Sequence, residues 1–503
     1  MQSWVVASTL LMIPGLLALM GWMGGRTRTD KSAERIYRAT LWLAMGSVLM
    51  SGVGVYQFYS QTSSTASGQL FGFNQINSIV LPLVLFIATI IIRFSHNYMA
   101  GEACYPRYFR WMTLTITAVL VTLLSNHLVI FWLGWFTISL TLHKLLTLYP
   151  ERPRAILAAH KKFILARSAE LCLLVAFSLL YLQHQTLYID QLLLTIGAIA
   201  STAEQVAALL IALAALIKCA QLPVHGWLIK VVEAPTPVSA LLHAGIINLG
   251  GFLLLTFAPL LQISDWGRWT VLLVAGISTL LASLILLTRV SVKVRLAWST
   301  SAQMGLMLIE IALGLYELAI LHLIAHSLYK AFSFLNSGNA VYEQLQQELT
   351  GKIHAPTGHW LASSLFSLLL VSPAVVLLSG PIAPWVLLWM GFTILLATSS
   401  QKLYASLMAI SLIAIYLALK FGLGHVFPGN AVVPFSAEDW FITILIINMF
   451  IFGMHLRFNN QKPWVQRLSA ALFAGLYLDE WFTRITLKFW PVRTHANAVK
   501  EIP

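Results

Sequence analysis

Lys218 stands inside an otherwise apolar run, AALLIALAALIKCAQLPVHGW, from Ala207 to Trp227. At the centre of a bilayer such a charge costs about 2.5–3.5 kcal/mol. Gln221, Leu222 and Pro223 follow it. Pro223 has no N–H and its ring clashes with the carbonyl of Cys219, so a helix is expected to break there. A lysine thus lies beside freed backbone polar groups. Such backbone is tolerated at membrane depth only against protein or a wet cavity. Broken helices with an ionisable group are a device of membrane ion pathways. Snorkelling from a helix end is the blander account of Lys218; the break favours an interior site.

Other ionisable residues share this apolar setting. Arg167 and Glu170 are three apart, on one helix face, where they can pair. Glu170 is also the natural counter-ion for Lys218, and a snorkelling arginine is the alternative for Arg167. Pro235 and Pro237 force an extended approach to the next span, which puts His243 in its first turns. A lone helical histidine is more often a hydrogen-bonded core residue than a proton carrier. His322, His326 and Lys330, at i, i+4 and i+8, make one stripe along a helix. Packing explains three ionisable groups on one membrane-helix face poorly; a polar relay explains them well. Glu310, within LMLIEIALG, is either part of such a relay or a local partner for a nearby His or Lys. Arg167, Glu170, Lys218, Glu310 and Lys330 at about 3 kcal/mol each would cost about 15 kcal/mol unpaired. That rivals the net stability of a domain, so they must be paired or hydrated. A lateral string of such pairs is the physical form of a proton path.

The elements that carry these residues are membrane spans. The chain has 503 residues, 58% hydrophobic and only 10% charged, against about 25% charged in soluble domains. Fifteen apolar stretches stand out, near 4–22, 39–59, 76–94, 110–125, 127–147, 163–182, 204–222, 238–260, 269–288, 300–316, 318–337, 360–379, 383–399, 404–422 and 438–456. Most approach the ~20 residues that cross a bilayer. The expected fold is an all-α polytopic membrane helical bundle, with about 13–15 transmembrane helices and at least one discontinuous helix. The first stretch lacks a basic leader and a small-residue cleavage site, so no cleavable signal is expected.

The net charge of +13 suggests nucleic acid, but its placement does not. Basic residues follow the odd-numbered spans: Arg26 to Arg38, Arg93 to Arg110, Arg152 to Lys162, Arg289 to Arg295 and Arg457 to Arg467. Segments 60–75, 183–203 and 423–437 hold no Lys or Arg. By the positive-inside rule the N-terminus is expected outside, on the periplasmic side if the membrane is a cell inner membrane, and the C-terminus in the cytoplasm. Cys104, Cys172 and Cys219 are isolated and show no metal-binding spacing. No phosphate-binding or dinucleotide-binding glycine motif appears. Energy is therefore expected from an ion gradient or a partner.

Four regions are expected: lead-in spans over 1–110, a charge-bearing core over 111–340, further spans over 341–456 that open with a polar loop at 341–360, and a tail over 457–503. The tail segment LSAALFAGLYLDEWFTRITLKFW is amphipathic and rich in Trp. It reads either as an interfacial helix on the bilayer or as a docking helix. Asp479, Glu480, Trp481 and Trp490 would serve the second role, since aromatics favour interface cores.

KCAQLPVHGWLIKVVEAPTPVSALLHA resembles the signature of the antiporter-like subunits of respiratory complex I and of Mrp cation/proton antiporters. RLAWSTSAQMGLM, HLIAHSLYKAFSFLNSG and KKFILARSAE match the same family, and the likeness covers roughly 110–340. In that family the matching lysine carries protons and the His/Lys helix continues the path. The resemblance implies such roles for Arg167, Glu170, Lys218, His243, His322, His326 and Lys330. Where the family usually has a glutamate after LGW, this chain has Phe136, with Lys144 eight residues on. Leu249, beside Asn248, replaces a common lysine. These departures and the tail GLYLDEWFTR…LKFWP look like one branch, the DabB membrane subunits of Dab inorganic carbon transporters. That branch pairs with DabA, a cytoplasmic zinc-containing subunit resembling a β-carbonic anhydrase. The resemblance implies cation flow, most naturally protons, coupled to one-way hydration of CO2 to bicarbonate in the partner, with no cofactor in this chain. A cation/proton antiporter or NADH dehydrogenase subunit is the second expectation. A membrane anchor for a soluble enzyme is the third.

Overall fold

A chain inside hydrocarbon must satisfy its own N–H and C=O groups, which long apolar segments do as helices. The computed structural model describes residues 2–26, 30–60, 68–339, 357–377, 380–399, 401–427, 432–459 and 461–491. The expected polar loop at 341–360 lies, up to 356, outside the described residues. Two isolated bridges, Phe71 with Ser125 and His127 with Tyr188, are the sole β pairing among them.

The helices follow in order. The first six are α1 (Gln2–Gly24), α2 (Asp30–Ser60), α3 (Gln75–Tyr98), α4 (Tyr105–Leu124), α5 (Leu128–Leu146) and α6 (Pro153–His184). Short α7 (Ile189–Thr195) precedes α8 (Thr202–Lys218) and α9 (Gly226–Lys230). Next come α10 (Thr236–Ala244), α11 (Leu249–Thr256), α12 (Ala258–Ile263), α13 (Asp265–Leu286), α14 (Val292–Ala312) and α15 (Tyr316–Leu335). The last are α16 (Thr357–Leu377), α17 (Ala383–Thr398), α18 (Lys402–Val426), α19 (Ala437–Phe458), α20 (Pro463–Phe473) and α21 (Glu480–Phe489). Each of the fifteen apolar stretches falls on these helices. Among the described residues nine are long and apolar enough to cross a membrane by length and composition, and shorter apolar helices run over Met12–Gly24, His359–Val375 and Ala383–Thr398.

The chain divides into two compact units. One comprises Met1–Thr270, Ile324–Leu335 and Tyr477–Pro503; the other comprises Val271–Leu323 and Asn336–Leu476. In the first, α6 packs along α8, α4 along α5, and α21 against α6. Phe131 anchors its core, stacked on Phe252 and edge-on to Phe177 and Phe257. In the second, Val371, Ala374, Trp385, Phe392, Ala409 and Ile413 form a core. There Asp439 stops α17 from fraying: its carboxylate accepts from the N–H groups of Ile382 and Ala383 at 2.8 and 2.9 Å.

Helix α8 is framed at both ends by its sequence. Ser201 and Glu204 form a capping box, each side chain accepting from the other's backbone N–H. The helix ends at Lys218, where Ala220 takes a left-handed conformation with φ 51°. The Leu222–Pro223 peptide is cis. A 3-10 turn, Val231–Glu233, and the extended Pro235 lead into α10. The backbone breaks again at Gly245, and the 3-10 turn Ile246–Asn248 joins α10 to α11.

Candidate ion-pathway site

The break after Lys218 leaves room for a small cavity. About 20 Å³ is open to the centre of a water molecule, enough for one ordered water. Trp135, Ser139, Lys162, Lys218, Trp227 and Ile247 contribute to its wall. The Lys218 ammonium lies 4.5 Å over the Trp135 ring, a cation–π placement that offsets part of its lost hydration. Lys162, buried in α6, donates from Nζ to the Ser139 carbonyl at 2.8 Å. Helix α11 comes close because residue 250 is glycine. A Cβ there would overlap Cys219 Sγ and lie 2.8 Å from the Ala215 carbonyl.

Beside the cavity, Arg167 and Glu170 pair at 2.8 Å, as their spacing suggests. The Ser139 hydroxyl donates to Glu170 Oε1 at 2.6 Å and also receives the Arg167 guanidinium. Trp132 Nε1–H donates to the Glu170 carbonyl at 2.9 Å. Arg167 also lies over the Phe136 and Phe163 rings, at 4.3 and 4.6 Å. Phe136, at the position expected to hold an acid, thus faces the guanidinium with a π surface. Glu170 is held by Arg167 and Ser139, and Lys218 by the cavity wall and Trp135. Lys144, at the end of α5, is exposed.

In the same unit, His243 is fully buried and stacks on Phe334 of α15 at 4.3 Å. Asn248 donates to Ser327 Oγ at 2.6 Å. His326 and Lys330 are buried on that part of α15. In the other unit, His322 Nδ1 lies 3.1 Å from Glu310 Oε2.

Several participants escaped the sequence reading. Lys161 and Lys162 read as loop charges before a span beginning at 163. Pro153 at the first turn of α6 was the available signal: it starts the helix early and carries both lysines two turns inside. Lys420 of α18 pairs with Glu317 at 3.8 Å within the second unit. His184 and Glu204, their side chains largely covered, approach to 3.2 Å where α6 ends and α8 begins.

The tail residues divide between two faces of α21. Asp479 points inward, with Oδ1 2.5 Å from Lys161 Nζ and Oδ2 3.0 Å from Lys230 Nζ. Trp490 stacks on His160 at 3.8 Å. Glu480 and Trp481 are exposed. Burial alone would raise the Asp479 carboxyl; its hydrogen bond to Lys161 and the charges of Lys161 and Lys230 outweigh that and hold it below the usual carboxylate range. Among the described residues no group of three His, Cys, Asp or Glu is placed to hold a metal ion.

The chain is similar to known membrane proteins over most of its length. Residues 125–418 match the transmembrane family of NADH:quinone oxidoreductase and Mrp antiporters. Residues 64–109 match the N-terminus of complex I chain 5. The probable inorganic carbon transporter subunit DabB of Hydrogenovibrio crunogenus is 43% identical, over 98% of this chain and 96% of that one. The probable inorganic carbon transporter subunit DabB2 of Halothiobacillus neapolitanus is 34% identical, over 96% and 94%. In fold, the chain is similar to a chain of the Mrp complex from Dietzia, with a TM-score of 0.59 and 19% identity. That likeness covers 99% of this chain and 58% of the Mrp chain.

Proposed function

The chain belongs to the DabB family of inorganic carbon transporter subunits, within the wider NADH:quinone oxidoreductase and Mrp antiporter membrane family, and from that premise we propose that it conducts protons for an energy-coupled carbon uptake complex. One observation carries the reading: Lys218, at the end of a broken helix, shares a water-sized cavity with Lys162, beside the Arg167–Glu170 pair.

Two ammonium groups lining one cavity repel, so a proton arriving on one favours release from the other. The water-sized space lets the proton pass between groups that do not touch. Glu170, oriented by Arg167 and Ser139, supplies the negative charge that makes a second proton tolerable nearby. His243, His326 and Lys330 extend the titratable surface of the first unit. His322 with Glu310 does so in the second, and Lys144 stands where the path meets solvent.

The distribution of Lys and Arg supports an inner-membrane subunit with a periplasmic N-terminus and a cytoplasmic C-terminus. Inward proton flow would then drive a cytoplasmic, zinc-containing, carbonic-anhydrase-like partner that hydrates CO2 to bicarbonate. The exposed Glu480 and Trp481 of α21 offer it a docking face. Catalysis and zinc belong to that partner. A cation/proton antiporter subunit is the second reading, favoured by the Mrp-like fold. An inert anchor leaves the buried lysines without a use.

Purification from native membranes in mild detergent, followed by mass spectrometry and zinc analysis, tests the assignment. We expect a zinc-bearing, carbonic-anhydrase-like subunit to accompany the chain. A set of other antiporter-like or quinone-reducing subunits would overturn the carbon-uptake reading.

A further inference from the structure

Asp479 lies far from the cavity in sequence but is joined to it by consecutive contacts. Its carboxylate bridges Lys161 of α6 and Lys230 of α9. Lys161 is fully buried, and its neighbour Lys162 lines the cavity with Lys218. The carboxylate also rests on Gly226, the first residue after the broken stretch: a Cβ there would overlap it. One acidic group therefore touches both the helix that carries Lys162 and the helix that resumes after Lys218. Around it, Phe482 and Thr486 of α21 are buried, and Trp490 covers His160. Trp481, Ile485 and Phe489 of α21 are exposed.

We propose that Asp479 is a positioning residue of the ion path, transmitting the position of the tail helix α21 to the Lys162–Lys218 cavity through Lys161 and Gly226. This rests on the proton-conducting role proposed above. A load on the exposed face of α21 pulls on the carboxylate. The carboxylate sets where Lys161, and with it Lys162, stands, and holds the segment that follows the break. The tail is then a transmission element rather than a simple tether. Asp479 serves the inner side of the contact, and Glu480 and Trp481 the outer side.

The test uses the intact complex in native membranes, with three variants and three readouts: membrane level, partner retained in mild detergent, and inorganic carbon uptake. Asp479→Asn keeps the size of the side chain and removes its charge. It should leave level and partner unchanged while uptake falls about tenfold, within the span usual for coupling between sites. Asp479→Glu, which restores the charge, should recover most of that loss. Normal uptake in Asp479→Asn would overturn the proposal. So would a loss of uptake that merely follows loss of the partner or of the protein from the membrane. Lys218→Ala in the same preparation reads the underlying role separately. Normal uptake there removes the ion path itself; abolished uptake there, with normal uptake in Asp479→Asn, removes only the transmission.

Discussion

Glu170 and Lys162 show what a buried charge needs at the scale of one residue. Glu170 accepts from Arg167 and Ser139, so its charge is matched by a guanidinium that two aromatic rings also hold. Glu170→Gln removes a charge-assisted hydrogen bond and should cost about 1.5–3 kcal/mol, read as a lower unfolding temperature in detergent. An unchanged unfolding temperature would show that the pair is incidental to stability. Lys162→Leu keeps much of the volume and removes the second ammonium from the cavity. Uptake should fall while the protein level holds; normal uptake would exclude Lys162 from the path. The Arg167–Glu170 pairing was legible because a three-residue spacing is fixed by helix geometry. Lys162 was not: a charge near a span's end reads as a loop charge until the helix start is known.

At the scale of the element, helix ends decide where the charges sit. Pro223 announced the break after Lys218, since a missing donor and a ring clash are local facts. The break at Gly245 was not announced, because HAG inside an apolar run reads equally as continuous helix. The capping box at Ser201 fixes where α8 begins, and so the depth of Lys218 seventeen residues on. Ser201→Ala should destabilise by about 1 kcal/mol, visible as a drop in unfolding temperature. No drop would mean that packing alone sets the start of α8. Gly250→Ala forces α11 away from the end of α8 and should cost about 1–3 kcal/mol, by the same measurement, with a loss of uptake. A variant indistinguishable from the parent would show that the close approach is not needed.

At the scale of the whole molecule, the sequence showed that the chain spans a membrane many times and which helices carry charge. It could not show which face of the tail turns inward. Asp479 finds Lys161 across 318 residues, and no local pattern encodes that contact. The contact has a pH signature. Because the Asp479 carboxyl is depressed, its contribution is complete above the ordinary value of 3.8 and is lost only as pH falls through the lower value of the folded state. Hydrogen–deuterium exchange of residues 480–489, corrected for intrinsic rates, should therefore be the same at pH 7 and pH 5. Deprotection at pH 5 would show that another group holds the tail. Whether ions pass by way of Lys218 is read from proton influx together with inorganic carbon uptake in cells carrying Lys218→Ala. Both should be abolished, and carbon-dependent growth with them, while the protein remains in the membrane with its partner. Uptake and influx at the parental rate in that variant would contradict that route.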